Sequence, residues 1–137
     1  MTLTRAEILA MPADELRVEI AKRRGFDVVH IPSPNTGYVW FQLHKVTGRY
    51  SASSYLSEAK AWQDTPDPTV NIADTWVLWN ELPNFKAIEE YAPRENMETK
   101  FVYLRTDTLH VRISGEPILL AISRAWLLWD VTREGAG

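Results

Sequence analysis

The sequence contains no cysteine, which excludes disulfide bonds, thiolate zinc sites and cysteine nucleophiles. Histidine is scarce as well, and the three that occur are scattered, at His30, His44 and His110. We therefore expect no metal site and no cofactor. The chain also lacks a glycine-rich phosphate loop, a nucleophile elbow and a His-Glu metal motif. These absences leave no catalytic residue to predict and weigh against an enzyme.

An excess of positive charge and a long hydrophobic run are missing too. Fifteen lysines and arginines face eighteen aspartates and glutamates, giving a net charge of −3, whereas duplex-binding modules are usually basic. The longest apolar run, residues 118–129, is interrupted by polar residues and is shorter than the about 20 residues that span a bilayer. The N-terminus lacks the basic and apolar regions of a signal peptide. We expect a cytoplasmic protein that binds neither duplex nucleic acid nor a membrane.

Large aromatic residues are abundant, with six tryptophans and five tyrosines in 137 residues. Such side chains bury much area in a core, and they also stack on planar ligands. With 45% hydrophobic and 24% charged residues, the composition is typical of one globular domain covering residues 1–137.

The first half of the chain predicts two helices followed by a β-hairpin. Thr4 and Glu7 form a capping-box pattern for a short helix, and Gly25 ends a second helix. Residues 26–31 and 38–46 have strand patterns and are separated by a turn rich in proline and glycine. The residues numbered 49–68 are then expected to form a loop with one helical turn.

The second half predicts helices on either side of another hairpin. Residues 69–82 and 84–91 predict two helices, the first with a core-facing stripe of Ile72, Ala73, Trp76 and Trp79. The last helix, starting near Pro117, is apolar almost all round, so it is buried centrally or packs against a second subunit. We therefore expect a homo-oligomer, most simply a C2 dimer. The order of elements predicts an α/β fold with one small, mainly antiparallel sheet covered by helices.

Three segments carry a resemblance to a known family. They are Thr-Arg-Ala-Glu-Ile-Leu-Ala-Met at 4–11 with the helix that follows, Pro-Thr-Val-Asn-Ile-Ala-Asp-Thr-Trp at 68–76, and Pro-Ile-Leu-Leu-Ala-Ile-Ser-Arg-Ala-Trp-Leu-Leu at 117–128. Together they resemble the phage ABA sandwich domain family. The bulky Trp126 and a longer stretch over 32–68 depart from that family's pattern. The resemblance implies an α/β/α sandwich and a phage origin, and it brings no assigned reaction or catalytic residue.

The second hairpin, with strands predicted at 101–105 and 108–114, is the most chemically suggestive segment. A two-residue turn at Thr106-Asp107 would give it one apolar face and one polar, aromatic face. A three-residue turn would exchange the faces. Alternatively, helices cover both faces of this hairpin, and the same side chains then pack in the core and bind no ligand.

On the polar face, the two-residue turn pairs Tyr103 with His110 and Phe101 with Arg112, and Arg105 lies nearby. Arginine forks bind phosphates and aromatic rings stack on bases, so this face is a candidate nucleotide site. Arg105 and Arg112 are the candidates for phosphate binding, and Tyr103 is a candidate for stacking.

The first hairpin offers a similar surface. Tyr38, Trp40 and His44 alternate with apolar residues and form a second polar, aromatic face, with Trp40 as the stacking candidate. This face extends the same site or, alternatively, is cross-strand packing with a polar rim.

Two further places hold candidate ligand-binding residues. Thr69 and Asn71 open a helix whose N–H groups could bind an anion, although Thr69 more simply caps that helix. Arg124 lies within the apolar last helix, where it pairs with a carboxylate or a bound phosphate, or else faces solvent beside Ser123.

These features favour a binding protein. The leading hypothesis is a phage counter-defence protein that sequesters a host immune nucleotide signal, a cyclic oligonucleotide or a cyclic ADP-ribose-like molecule, without turnover. The step to counter-defence is an analogy with other small phage proteins. Two alternatives stay open: a protein–protein inhibitor or structural accessory that uses the last helix, and a hydrolase of the same signals.

Overall fold

Helices and antiparallel strands both form along the chain, which confirms the predicted mixed α/β class. The computed structural model describes residues 3–35, 37–46, 48–83, 86–91, 99–105, 109–114 and 116–136. The helices are α1 (Arg5–Ala10), α2 (Ala13–Arg23), α3 (Glu58–Trp62), α4 (Ile72–Glu81) and α5 (Ile118–Ala136). The strands are β1 (Asp27–Pro32), β2 (Val39–Lys45), β3 (Gly48–Tyr55), β4 (Lys86–Tyr91), β5 (Thr99–Arg105) and β6 (His110–Ser114).

The strands are divided between two three-stranded sheets, where the sequence predicted one sheet. The chain divides into two compact units to match. The first, called the terminal unit here, consists of Met1–Arg17 with Asp67–Gly137, and the second is Val18–Pro66. The expectation of a single domain over residues 1–137 stays a prediction.

In the Val18–Pro66 unit, β1, β2 and β3 form an antiparallel sheet in that order, with α3 in contact with all three strands. Val28 lies opposite Leu43, and both are buried in one cluster with Ala61 and Trp62 of α3. Because side chains alternate along a strand, residues such as Gln42 belong to the other face. This sheet therefore has one face built into a core and one face that is only partly buried.

Strand β3 replaces the first part of the loop predicted over residues 49–68, so that prediction is wrong there. Its serines give it little intrinsic preference for a strand, and pairing with β2 supplies the stabilisation instead. The pairing is interrupted, since Gln42 lies opposite Ser54 whereas His44 lies opposite Arg49. The extra residues on β3 form a bulge, which re-aims the side chains on either side of it. The helical turn expected in this stretch is α3.

Gly25 ends α2, as predicted. Its φ is +96°, and its N–H donates to the carbonyl of Lys22 at 3.1 Å. A Cβ atom at this position would clash with Cγ2 of Val46. The left-handed backbone and the close approach of Val46 both require glycine here.

In the terminal unit, β4, β5 and β6 form the second antiparallel sheet, and α5 contacts β5 and β6. Leu104 lies opposite Val111, and both are buried. The short helix predicted over residues 84–91 is wrong, because Lys86–Tyr91 is strand β4. Its alanine and glutamates favour a helix locally, but pairing of the whole segment with β5 overrides that preference.

Helix α5 is buried within its own chain. Every residue from 121 to 128 is buried, and the helix contacts α1, α4, β5 and β6. Of the two possibilities that its all-round apolar surface left open, central burial is therefore confirmed. Because α5 is covered by its own chain, it is not the interface of the expected homo-oligomer, which would have to form through another surface.

The register of β5 and β6 differs from the predicted one by an even step. Tyr103 pairs with Arg112, where a two-residue turn at Thr106-Asp107 would pair it with His110. Those two turn residues lie outside the described part of the chain. Because the partner moves from 110 to 112, the predicted division into an apolar and a polar face is preserved.

Helix α4 buries a different side from the one predicted. Thr75 and Leu78 are its buried residues, while Trp76 is 42% exposed. The stripe predicted to face the core was Ile72, Ala73, Trp76 and Trp79, and the first three of these are exposed. The Thr75 hydroxyl can be buried because it donates to the carbonyls of Asn71, at 2.8 Å, and Pro68.

Candidate functional site

The polar, aromatic surface predicted around Trp40 lies on the face of the β1–β2–β3 sheet that is not built into the α3 core. Trp40 is 36% exposed and lies opposite Ile31 on the neighbouring strand. Beyond Trp40, the residues that β2 and β3 contribute to this face are polar, whereas β1 contributes Val29 opposite Gln42. We call this surface the Trp40 face, defined by Trp40, Gln42, His44, Arg49 and Ser54.

Arg49 crosses the bulge of β3 to reach Ser54. Its Nη2 donates to the carbonyl of Ser53 at 3.2 Å and to Oγ of Ser54 at 3.3 Å. Ser54 lies opposite Gln42, so the guanidinium is held beside the middle of the sheet face and not beside His44, its partner in the ladder. A positive charge is thereby fixed next to the hydrogen-bonding groups of the central strand.

The central strand provides a hydrogen-bonded pair beside this cation. Nε2 of His44 lies 3.2 Å from Oε1 of Gln42, so the imidazole donates to the amide oxygen. Trp40 and Ser54 are diagonal neighbours across β2 and β3, a relation that separates the residues by about 7–8 Å. The Trp40 face therefore carries an aromatic ring and, beside the diagonal neighbour of that ring, a guanidinium.

The polar face of the β4–β5–β6 sheet holds four of the predicted site residues. Tyr103 pairs with Arg112, and Arg105 pairs with His110. Arg112 and His110 are exposed. Trp40 belongs to the other sheet and the other unit, so the two hairpins give two candidate surfaces instead of one continuous sheet face.

The start of α4 is stabilised by its own side chains, and the cap predicted at Thr69 is wrong. Asn71 is the N-cap, with Oδ1 accepting from the N–H of Asp74 at 3.2 Å. Thr69 is buried and donates through its N–H to Asp67 at 3.1 Å. Asp74 accepts from the N–H of Asp67 at 2.9 Å. Two carboxylates at this helix start disfavour the anion site considered for Thr69 and Asn71.

Arg124 is a buried structural residue. It is 6% exposed, and Nε donates to both carboxylate oxygens of Glu116, at 2.9 and 3.0 Å. Nη1 donates to the carbonyls of Ile8, at 2.9 Å, and Met11, at 2.6 Å. The carboxylate pairing predicted as one possibility is confirmed, and the solvent-facing alternative is wrong. Its guanidinium joins α5 to the end of α1.

Sequence reasoning missed Arg49, Ser54 and Gln42. The alternation of residues 38–46 puts Gln42 on the same face as Trp40 but suggests no role for it, and the other two fell in the predicted loop. The available signal was Gly48, since a glycine after a two-residue connection is typical of a hairpin that continues into a third strand. The bulge that brings Arg49 to Ser54 has no such signal.

Comparison of the chain with protein-family models, curated proteins and solved structures finds no match. Among the described residues, no group of three or more His, Cys, Asp or Glu side chains is placed to hold a metal ion. No helix in the described part of the chain is both long and apolar enough to cross a membrane.

Proposed function

We propose that this protein is a phage counter-defence protein that binds a nucleotide-derived immune signal in the host cytoplasm and holds it without turnover. The observation that carries the proposal is the placing of the Arg49 guanidinium beside Ser54, one diagonal step from Trp40. A ring that stacks on Trp40 leaves its phosphate within reach of Arg49. The phage origin rests on the resemblance of the helical segments to the phage ABA sandwich domain family.

The remaining polar groups of the Trp40 face match the ribose, which lies between the base and the phosphate of a nucleotide. Gln42 and Ser54 offer an amide and a hydroxyl between the ring and the phosphate, where a ribose carries its own hydroxyls. Ile31, opposite Trp40, extends the apolar surface on which the base would rest. Binding then combines stacking with charge-assisted hydrogen bonds, neither of which breaks a covalent bond.

Replacing Trp40 with alanine is expected to weaken nucleotide binding by about fivefold to a hundredfold, because stacking on an aromatic side chain contributes about 1–3 kcal/mol per base. Replacing Arg49 with glutamine should weaken it by about tenfold or more, because a charge-assisted hydrogen bond to the phosphate is lost. Calorimetric titration with cyclic dinucleotides, cyclic trinucleotides and cyclic ADP-ribose measures both effects. Chromatography of the denatured complex should return intact ligand.

Arg112→Ala is the matched control, since it removes an exposed arginine from the other sheet. If Arg112→Ala abolishes binding while Arg49→Gln does not, the site is the polar face of β4–β5–β6 and the assignment to the Trp40 face is wrong. A new product after denaturation would make the protein a hydrolase. No binding of any member of the panel would overturn the proposed function.

A second candidate function, association between protein chains, is favoured by an exposed apolar surface on α4. Val70, Ile72, Ala73, Trp76, Val77 and Asn80 are all exposed, and we call them the α4 patch. None of these residues is charged, and the acids of α4, Asp74 and Glu81, lie beside Val77, so a two-fold axis nearer Trp76 keeps like charges apart. Elsewhere a chain of net charge −3 repels its copy. We propose a second copy of this chain as the occupant.

Light scattering at tens of micromolar is expected to give twice the chain mass of 15.7 kDa. Trp76→Lys should shift the protein to the monomer, because it sets two cations against each other across the axis. Leu56→Lys is the control, since Leu56 is also apolar and exposed but lies outside the patch. A monomeric wild type, or a dimer that survives Trp76→Lys, would contradict this association.

A further inference from the structure

The charge changes sign along the Trp40 face. Trp40 is at one end, and Gln42 and Ser54 with the Arg49 guanidinium are in the middle. Asp27 is at the other end, directly opposite His44. Its Oδ1 accepts from the N–H of Val28 at 2.9 Å, which holds the exposed carboxylate against the strand. From one end to the other, the face is aromatic, then cationic, then anionic.

A ligand whose base rests on Trp40 meets these groups in a fixed order. Its first phosphate lies beside Arg49, and a second phosphate, further from the ring, continues toward His44 and Asp27. Arg49 is the one guanidinium among the described residues that the strand register assigns to this face. A second phosphate therefore finds no second guanidinium to bind, and it approaches the carboxylate of Asp27.

We infer that the Trp40 face accepts a single phosphodiester and discriminates against a pyrophosphate. The inference rests on the proposed nucleotide-binding function and decides between its two ligand classes. A cyclic oligonucleotide carries one phosphodiester, with one negative charge, for each nucleoside. A cyclic ADP-ribose-like molecule carries two adjacent phosphates. The ligand class is therefore the cyclic oligonucleotides, and Asp27 is the specificity-determining residue, acting by repulsion of the wrong ligand.

The test compares two ligands that share the adenine ring, cyclic di-adenosine monophosphate and cyclic ADP-ribose, by calorimetric titration. The wild type should prefer the cyclic dinucleotide by about threefold, because the second phosphate of cyclic ADP-ribose is repelled by the Asp27 carboxylate. Asp27→Asn should tighten binding of cyclic ADP-ribose by about threefold, as expected for removal of one charge about 6 Å away in water. The same variant should change binding of the cyclic dinucleotide by less than about twofold.

Asp14→Asn is the control, since it removes an exposed carboxylate from α2, a helix that contributes no residue to the Trp40 face. It should leave the preference unchanged. If the wild type binds cyclic ADP-ribose as tightly as the cyclic dinucleotide, or if Asp27→Asn has no effect on either ligand, the inference is overturned while nucleotide binding stands. If neither ligand binds, the inference is also overturned, and the wider nucleotide panel decides the proposed function separately.

Discussion

Replacing Arg124 with alanine is expected to lower the free energy of unfolding by about 3–5 kcal/mol, which is the usual effect of removing one partner of a buried ion pair. The guanidinium is 6% exposed and donates to Glu116 and to the carbonyls of Ile8 and Met11. Without the guanidinium, the carboxylate of Glu116 and the carbonyl oxygens of Ile8 and Met11 lose a hydrogen-bond donor. Urea unfolding followed by far-ultraviolet circular dichroism measures the change.

Arg133→Ala is the matched control, since Arg133 also belongs to α5 and pairs with an acid, Asp130, at 2.6 Å, but has an exposed side chain. Its removal should lower the free energy of unfolding by less, about 1–2 kcal/mol, because its guanidinium is in water, although the Asp130 carboxylate is buried. If Arg124→Ala does not fold, Glu116→Gln provides the second measurement, because an amide oxygen still accepts from Nε. Equal losses for Arg124→Ala and Arg133→Ala would show that burial does not set the strength of these pairs.

Replacing Trp126 with alanine should lower the free energy of unfolding by about 3–5 kcal/mol, through lost burial and the cavity left behind. Trp126 is 2% exposed at the centre of α5, and its indole N–H donates to Glu81 of α4 at 3.1 Å. The substitution therefore removes a large side chain from the core of the terminal unit and a hydrogen bond between α5 and α4. The change in urea midpoint at an unchanged m-value reports the loss.

Trp76→Ala is the control for this substitution, since it deletes the same side chain from an exposed position. Trp76→Ala should lower the free energy of unfolding by about 1 kcal/mol, which is the usual size of an edge-to-face contact such as that between Trp76 and Trp79. Both variants are compared at a protein concentration low enough to keep the chain monomeric, because association would add to stability. A loss for Trp76→Ala as large as that for Trp126→Ala would place Trp76 in the core and contradict the α4 patch.

Local signals in the sequence determined the elements whose stabilising groups are close along the chain. The capping box of Thr4 and Glu7 begins α1, and the left-handed Gly25 ends α2, because each depends on atoms within a few residues. Apolar composition was enough to predict that α5 is either central or intermolecular. The order of predicted elements indicated the mixed α/β class. The alternation of residues divided β5 and β6 into an apolar and a polar face, although it left open which turn, and therefore which register, joins them.

Only the tertiary structure decided the features that depend on pairing between distant segments. Strands β3 and β4 have serine and glutamate where strand formers are usual, so ladder hydrogen bonds and not propensity make them strands. The buried side of α4 is set by what α4 packs against, since its apolar residues surround more than one side. The position of Arg49 beside Ser54 depends on a bulge, and that of Arg124 on carbonyls more than a hundred residues away. These placements are energetic outcomes of the assembled fold, and no local pattern encodes them.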